Sequence, residues 1–158
     1  MKVLVFCAKG FETVEFGAFI DVMGWAGNDF QLPIEVDTCG FTGQVISTFN
    51  IPVLMDKTLD EVTADDYDAL PIAKSGVLAG RRATTYHLSG GHRQRQLALL
   101  GAEVVNERVV IDDNVITSYC PETAVDVAFE LLRKLCGSDN MCRVKQVMGY
   151  DIPQEKNR

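Results

Sequence analysis

Four side chains in this sequence carry most of its chemical potential: Glu15, His87, Cys120 and Cys7. A carboxyl in a half-buried pocket has its pKa raised by desolvation, which suits Glu15 to holding or moving a proton. The competing reading is an exposed first-turn glutamate favoured by the helix dipole. Cys120 follows an apolar run and directly precedes Pro121, so a helix beginning there would favour its thiolate. Cys7 closes the first apolar run. The bland reading of both thiols is a small buried or rim side chain without reactivity. His87 has a ring suited to general-base work. His92 reads as a surface residue at a helix start.

The elements that must position these groups follow from periodicity. Residues 2–7 form a continuous apolar run, the pattern of a parallel strand buried on both faces. Residues 12–26 are helical, with Val14, Ala18, Val22 and Trp25 on one stripe and Gly27 as the stop. A second strand lies in 30–38, and 44–48 with 51–54 form a hairpin or a broken edge strand. Residues 58–62 are a short acidic helix, and 67–70 return to the sheet. Residues 83–86 are a strand, 92–100 a helix, 104–105 and 109–111 strand pieces, and Asp112-Asp113-Asn114 turns into the strand 115–118. Pro121 opens a helix carrying Ala124, Ala128, Leu131 and Leu135, ended by Gly137. The pattern predicts an α/β fold, a doubly wound, mostly parallel sheet with flanking helices, over residues 1–137. Residues 138–158 form an appendix, a short helix near 141–148 and a polar tail. In such sheets ligands bind outside the carboxyl ends of the strands. Segments 7–15, 84–87 and 117–121 all end strands on that side.

Several segments together resemble the ThiJ/PfpI family, whose fold is flavodoxin-like and class I glutamine amidotransferase-like. They are Met1–Glu15, Gly80-Arg81-Arg82-Ala83-Thr84-Thr85-Tyr86, Gly101-Ala102-Glu103-Val104-Val105 and Val115-Ile116-Thr117-Ser118-Tyr119-Cys120-Pro121. The resemblance implies a cysteine-dependent hydrolase or a glyoxalase/deglycase, acting on small carbonyl, amide or glycated substrates through a covalent cysteine adduct. It places Glu15 at the family's acidic position, facing the nucleophilic sulfur, and it implies a homodimer. Two departures stand out. The family's Pro-Gly-Gly strand end and strand–Cys–helix elbow are absent between Leu70 and Pro71, where about 40 residues are missing, enough for a strand, a helix and a second strand. The deglycase branch has a histidine directly after Thr-Thr, whereas this chain has Tyr86 there and His87 one place later, a shift that turns the ring to the other face. Cys120 is the best substitute for the absent nucleophile. The alternative is a catalytically inactive member that binds or assembles.

Composition narrows the partners. The chain has 158 residues, 47% of them hydrophobic, and a formal net charge of −7. That length fits one domain able to bury a core. The charge argues against nucleic acid or an anionic membrane, and no apolar run reaches spanning length. A small-molecule substrate or ligand is the expected partner, with no cofactor. The five cysteines are irregularly spaced, with no C-x-x-C, and the opening residues show no export signal. Reduced thiols in the cytoplasm are therefore expected. The acidic pairs at 60–61, 65–66 and 112–113 lack a histidine at ligand spacing and read as solvated turns.

Overall fold

A computed structural model describes residues 1–69, 78–87 and 89–150 of the chain. The Leu70–Pro71 join and the polar tail lie outside the described residues.

Strand β1 (Lys2–Cys7) is the centre of the first half. Val3, Leu4 and Val5 are buried in succession, so both faces of the strand are covered, as the unbroken apolar run requires. β1 pairs in parallel with β2 (Glu35–Gly40) from Lys2↔Glu35 to Cys7↔Gly40. β2 pairs in parallel with the short β5 (Lys57–Thr58). On the other side of β1, the returning chain makes a parallel bridge at Val3↔Ala69, with the Leu4 N–H donating to the Ala69 carbonyl at 3.0 Å. The return is pinned by a polar cluster. The Tyr67 hydroxyl donates to Asp37 at 2.6 Å and Lys57 lies 2.7 Å from the same carboxylate. The bonds from Lys57 and Tyr67 hold the Asp37 carboxyl below its ordinary range.

Helix α1 (Thr13–Gly24) starts with Glu12 as its cap. It does not stop at Gly27 as expected. It widens into a π turn over Trp25–Asp29 that contains Gly27, and the chain leaves through Gln31 at φ 53. Gly27 serves close approach rather than termination: a Cβ there would lie 3.0 Å from the Ile34 carbonyl oxygen. The second strand accordingly begins at Glu35, later than its apolar start suggests. Of the two alternatives for 44–54 the hairpin forms, with β3 (Gln44–Ile46) antiparallel to β4 (Pro52–Leu54) and a helical turn at Thr48–Asn50. The acidic segment after β5 is a single 3-10 turn, Leu59–Glu61. Its Thr58–Glu61 capping box satisfies it without a longer helix.

The second half holds β6 (Arg82–Ala83), α2 (His92–Leu99), β7 (Glu103–Val104), β8 (Val109–Asp112) and β9 (Val115–Ser118). β6 and β7 are parallel, and β8 and β9 form an antiparallel hairpin. β6 is shorter than expected, and on the side away from β7 its N–H groups find side chains instead of a ladder. The Arg82 N–H donates to the Asp112 carboxylate at 2.8 Å and the Thr84 N–H to the Thr117 hydroxyl at 3.0 Å.

Helix α3 (Ala124–Cys136) follows a 3-10 turn at Pro121–Thr123. Helix α4 (Ser138–Val147) begins earlier than expected. α3 and α4 share the main core with β1 and α1: Val3, Val5, Val22, Met23, Phe129, Leu132 and Val144 bury together. Residues 138–150 therefore pack on the rest through Val144, which is fully buried. No described helix is long and apolar enough to cross a membrane.

Candidate functional site

The carboxyl end of the strands brings two polar side chains, Glu15 and Tyr86, together. Glu15 sits in the first turn of α1, held there by the covered stripe of Ala18, Val22 and Met23. Tyr86 lies three residues beyond β6. Its phenol donates to the Glu15 carboxylate at 2.6 Å. Burial and then this bond raise the phenol's pKa well above its ordinary value, with smaller contributions from Glu12 and Cys120 nearby. Among the described residues, that phenol is the only hydrogen-bond donor to the Glu15 side chain, and no thiol donates to it.

Cys120 stands between β9 and the 3-10 turn. Pro121 therefore opens that short turn, and α3 itself starts three residues later. The Cys120 side chain makes no capping bond to the turn's N–H groups. Its S–H donates to the Glu122 carboxylate at 3.7 Å instead. Glu122 is held below the usual carboxylate range, chiefly by Arg108 at 2.8 Å. The helix-end setting expected for this thiol is thus replaced by a thiol donating to a carboxylate.

His87 is exposed and packs its ring against Tyr119, with centroids 5.0 Å apart. It makes no hydrogen bond to Glu15 or Cys120 among the described residues. Cys7 is 2% exposed. Burial, with Cys39 as a lesser cause, pushes its thiol up to about 11. Cys39 is buried and shifted upward by burial as well, and burial raises Cys136. Cys142 is exposed on α4.

Tyr86 is the residue that sequence reasoning passed over. It marked only a displaced histidine, yet its phenol reaches the carboxylate. A signal was present: Thr84 and Tyr86 are two apart in an extended segment, so they share a face, and Thr84 is 3% exposed. The Thr84 hydroxyl has no hydrogen-bond partner among the described residues.

The comparisons with known proteins bear on the fold. Residues 70–134 match the model of the DJ-1/PfpI family, the same family as ThiJ/PfpI. The fold is that of DJ-1 from Schizosaccharomyces pombe, with a TM-score of 0.77 at 19% identity over 97% of this chain and 100% of that one. The match to the DJ-1/PfpI family thus covers residues 70–134, and the DJ-1 fold extends over nearly the whole chain. Drosophila melanogaster DJ-1beta superposes with a TM-score of 0.76 at 24% identity, over 93% of this chain and 96% of that one. An uncharacterized protein of Staphylococcus aureus strain Mu50 is 25% identical over 171 residues, 85% of this chain and 98% of that protein. That span exceeds the 158 residues of this chain, so the relative carries residues that this chain lacks.

Replacing Tyr86 by phenylalanine is expected to lower stability by about 1 kcal/mol. That is below the roughly 1.5–3 kcal/mol of hydrogen bonds to charged groups because both partners are only half-buried. The loss is the same at pH 7 and pH 9, since a phenol with a raised pKa keeps its proton across that range. Urea unfolding at the two pH values measures it; a loss present at one pH and absent at the other would contradict the assignment.

Proposed function

We propose that this chain is a DJ-1/PfpI member that binds or assembles, as a homodimer, without running the family's cysteine-dependent hydrolase or glyoxalase/deglycase reaction. The observation that carries this reading is the Glu15–Tyr86 hydrogen bond of 2.6 Å. The carboxylate at the family's acidic position holds a phenol where the resemblance calls for a sulfur. All five cysteines lie among the described residues. Three have thiols shifted upward by burial, Cys120 donates to Glu122, and Cys142 sits on an outer helix. A nucleophilic cysteine needs the opposite: a depressed pKa and a nearby oxyanion hole.

The binding half of the reading rests on Thr84. A buried hydroxyl without a partner, two residues before Tyr86, offers a small polar ligand a hydrogen-bonding group at low exposure to water.

Iodoacetamide at neutral pH under reducing conditions tests the proposal, followed by mass mapping of the labelled cysteines. The expected result is slow labelling led by exposed Cys142, with no turnover of small aldehydes or peptides. Fast labelling at Cys120, together with turnover abolished in Cys120→Ser, would replace this reading with the enzymatic one.

A further inference from the structure

Charge is spread unevenly along this chain. Residues 69–102 carry Lys74, Arg81, Arg82, Arg93 and Arg95 and no aspartate or glutamate, while the 22 acidic side chains all lie elsewhere. Such asymmetry in an acidic protein marks a basic patch. Arg81 and Arg82 are answered by neighbours, Asp113 at 3.9 Å and Glu107 at 3.0 Å. Arg93 and Arg95, both on α2, are not. Arg93 donates to the side-chain oxygen of Gln96 at 3.0 Å, and Arg95 donates to the Gly90 carbonyl. Neither has an ion-pair partner among the described residues.

The helix that carries them is thinly packed. Of the 8 residues of α2 only Leu97 is buried. It meets a small cluster of Ala83 and Ala102, with Leu78 and Val104 at its edge. Helices shorter than about 12–15 residues are marginal alone and depend on burying a face. The face opposite Leu97 is open. His92, Arg95 and Leu99 follow at i, i+3 and i+7, so they form one stripe there, and all three are exposed. Leu99 is 87% exposed, and Leu100, just past the helix end, 48%. These leucines adjoin each other and share the helix with the unpaired arginines, which sets them apart from singly scattered apolar residues.

The combination selects one class of occupant. Carboxylates answer Arg93 and Arg95 with charge-assisted bonds, and Leu99 and Leu100 call for apolar side chains on the same partner. Nucleic acid offers phosphates to the arginines but no apolar cover. Its long run of charge also meets the field of a chain whose net charge is −7. An anionic bilayer extends beyond the patch and meets the same repulsion. A short acidic segment escapes it, because interactions between exposed charges are largely screened beyond about 8 Å at physiological salt.

We propose that the outer face of α2 docks a short segment of a partner protein in which acidic residues flank leucine-like apolar ones. The carboxylates pair with Arg93 and Arg95, and the apolar side chains cover Leu99 and Leu100. The inference goes beyond the proposed function, resting neither on the Glu15–Tyr86 bond nor on how copies of the chain assemble.

Fluorescence anisotropy on the full chain tests it, with a labelled peptide of alternating glutamate and leucine pairs as the probe. The comparators are the same peptide with serine in place of leucine, phosphatidylserine vesicles and a single-stranded oligonucleotide. The expected result is a dissociation constant on the order of 10 μM for the probe. Arg93→Glu with Arg95→Glu raises it about tenfold or more, and Leu99→Gln about fivefold. Circular dichroism stays unchanged, since all three positions are exposed. No binding of the probe, or binding that both variants leave intact, overturns this surface. Equal affinity for the serine peptide overturns the choice of partner. So does tighter binding of vesicles or oligonucleotide that the double variant abolishes.

Discussion

Leu132→Ala is expected to lower the unfolding free energy by about 2–5 kcal/mol, the range for a large-to-alanine change in a packed core. Leu132 is fully buried on α3, in the cluster it shares with Val22 and Met23 of α1 and Val144 of α4. The packing it anchors also holds the first turn of α1, where Glu15 meets Tyr86. The variant therefore weakens the site without touching it. Small domains hold only about 5–15 kcal/mol in total, so one side chain here consumes a large share of the margin. Urea unfolding followed by circular dichroism gives the value, and a change under about 1 kcal/mol would mean that the site collapses around the deletion.

The second large effect is alkaline. Cys7 has its thiol raised from 9.0 to about 11 in the folded chain. The sign follows from linkage. Below pH 9 the thiol is protonated in both states and its contribution is fully present. As pH rises from about 9 to about 11, the unfolded thiol ionises first and the native state loses stability. The loss approaches about 2–3 kcal/mol above pH 11, from roughly 1.4 kcal/mol per unit. Cys39 shifts in the same direction and adds to it. Urea midpoints measured from pH 8 to pH 11 under reducing conditions should fall more steeply for the wild type than for Cys7→Ala. Parallel curves would show that burial of this thiol does not drive the loss. With its thiol raised in this way, Cys7, which ends β1, is expected to be a poor nucleophile at neutral pH.

Much of the fold was legible because its signals are local. The apolar run 3–7 that follows Lys2 specified a strand covered on both faces. The spacing of Ala124, Ala128, Leu131 and Leu135 specified α3, although Leu132 proved to be its most buried large residue. The exit from α1 was not legible, because the π turn depends on how closely Gly27 approaches Ile34, a contact between residues on different elements. The start of α3 moved for a similar reason. Pro121 opens a 3-10 turn that the Thr123 hydroxyl closes onto the Cys120 carbonyl at 2.7 Å, and no spacing rule separates that from a helix start. At the site, the position of Glu15 was legible and its partner was not. A histidine displaced by one residue drew attention to His87, while strand parity turned Tyr86 inward and left His87 in solvent.

The side chains that cap β6 have a consequence for how the protein behaves when crowded. An exposed strand edge with free N–H groups is a template on which other chains can zip, the first step toward aggregates. Here the outward N–H groups of Arg82 and Thr84 are already bonded, to the Asp112 carboxylate and the Thr117 hydroxyl. A foreign strand must break both bonds before it gains any of its own. The β8–β9 hairpin thus guards this edge with two side chains, where a full neighbouring ladder would otherwise be needed.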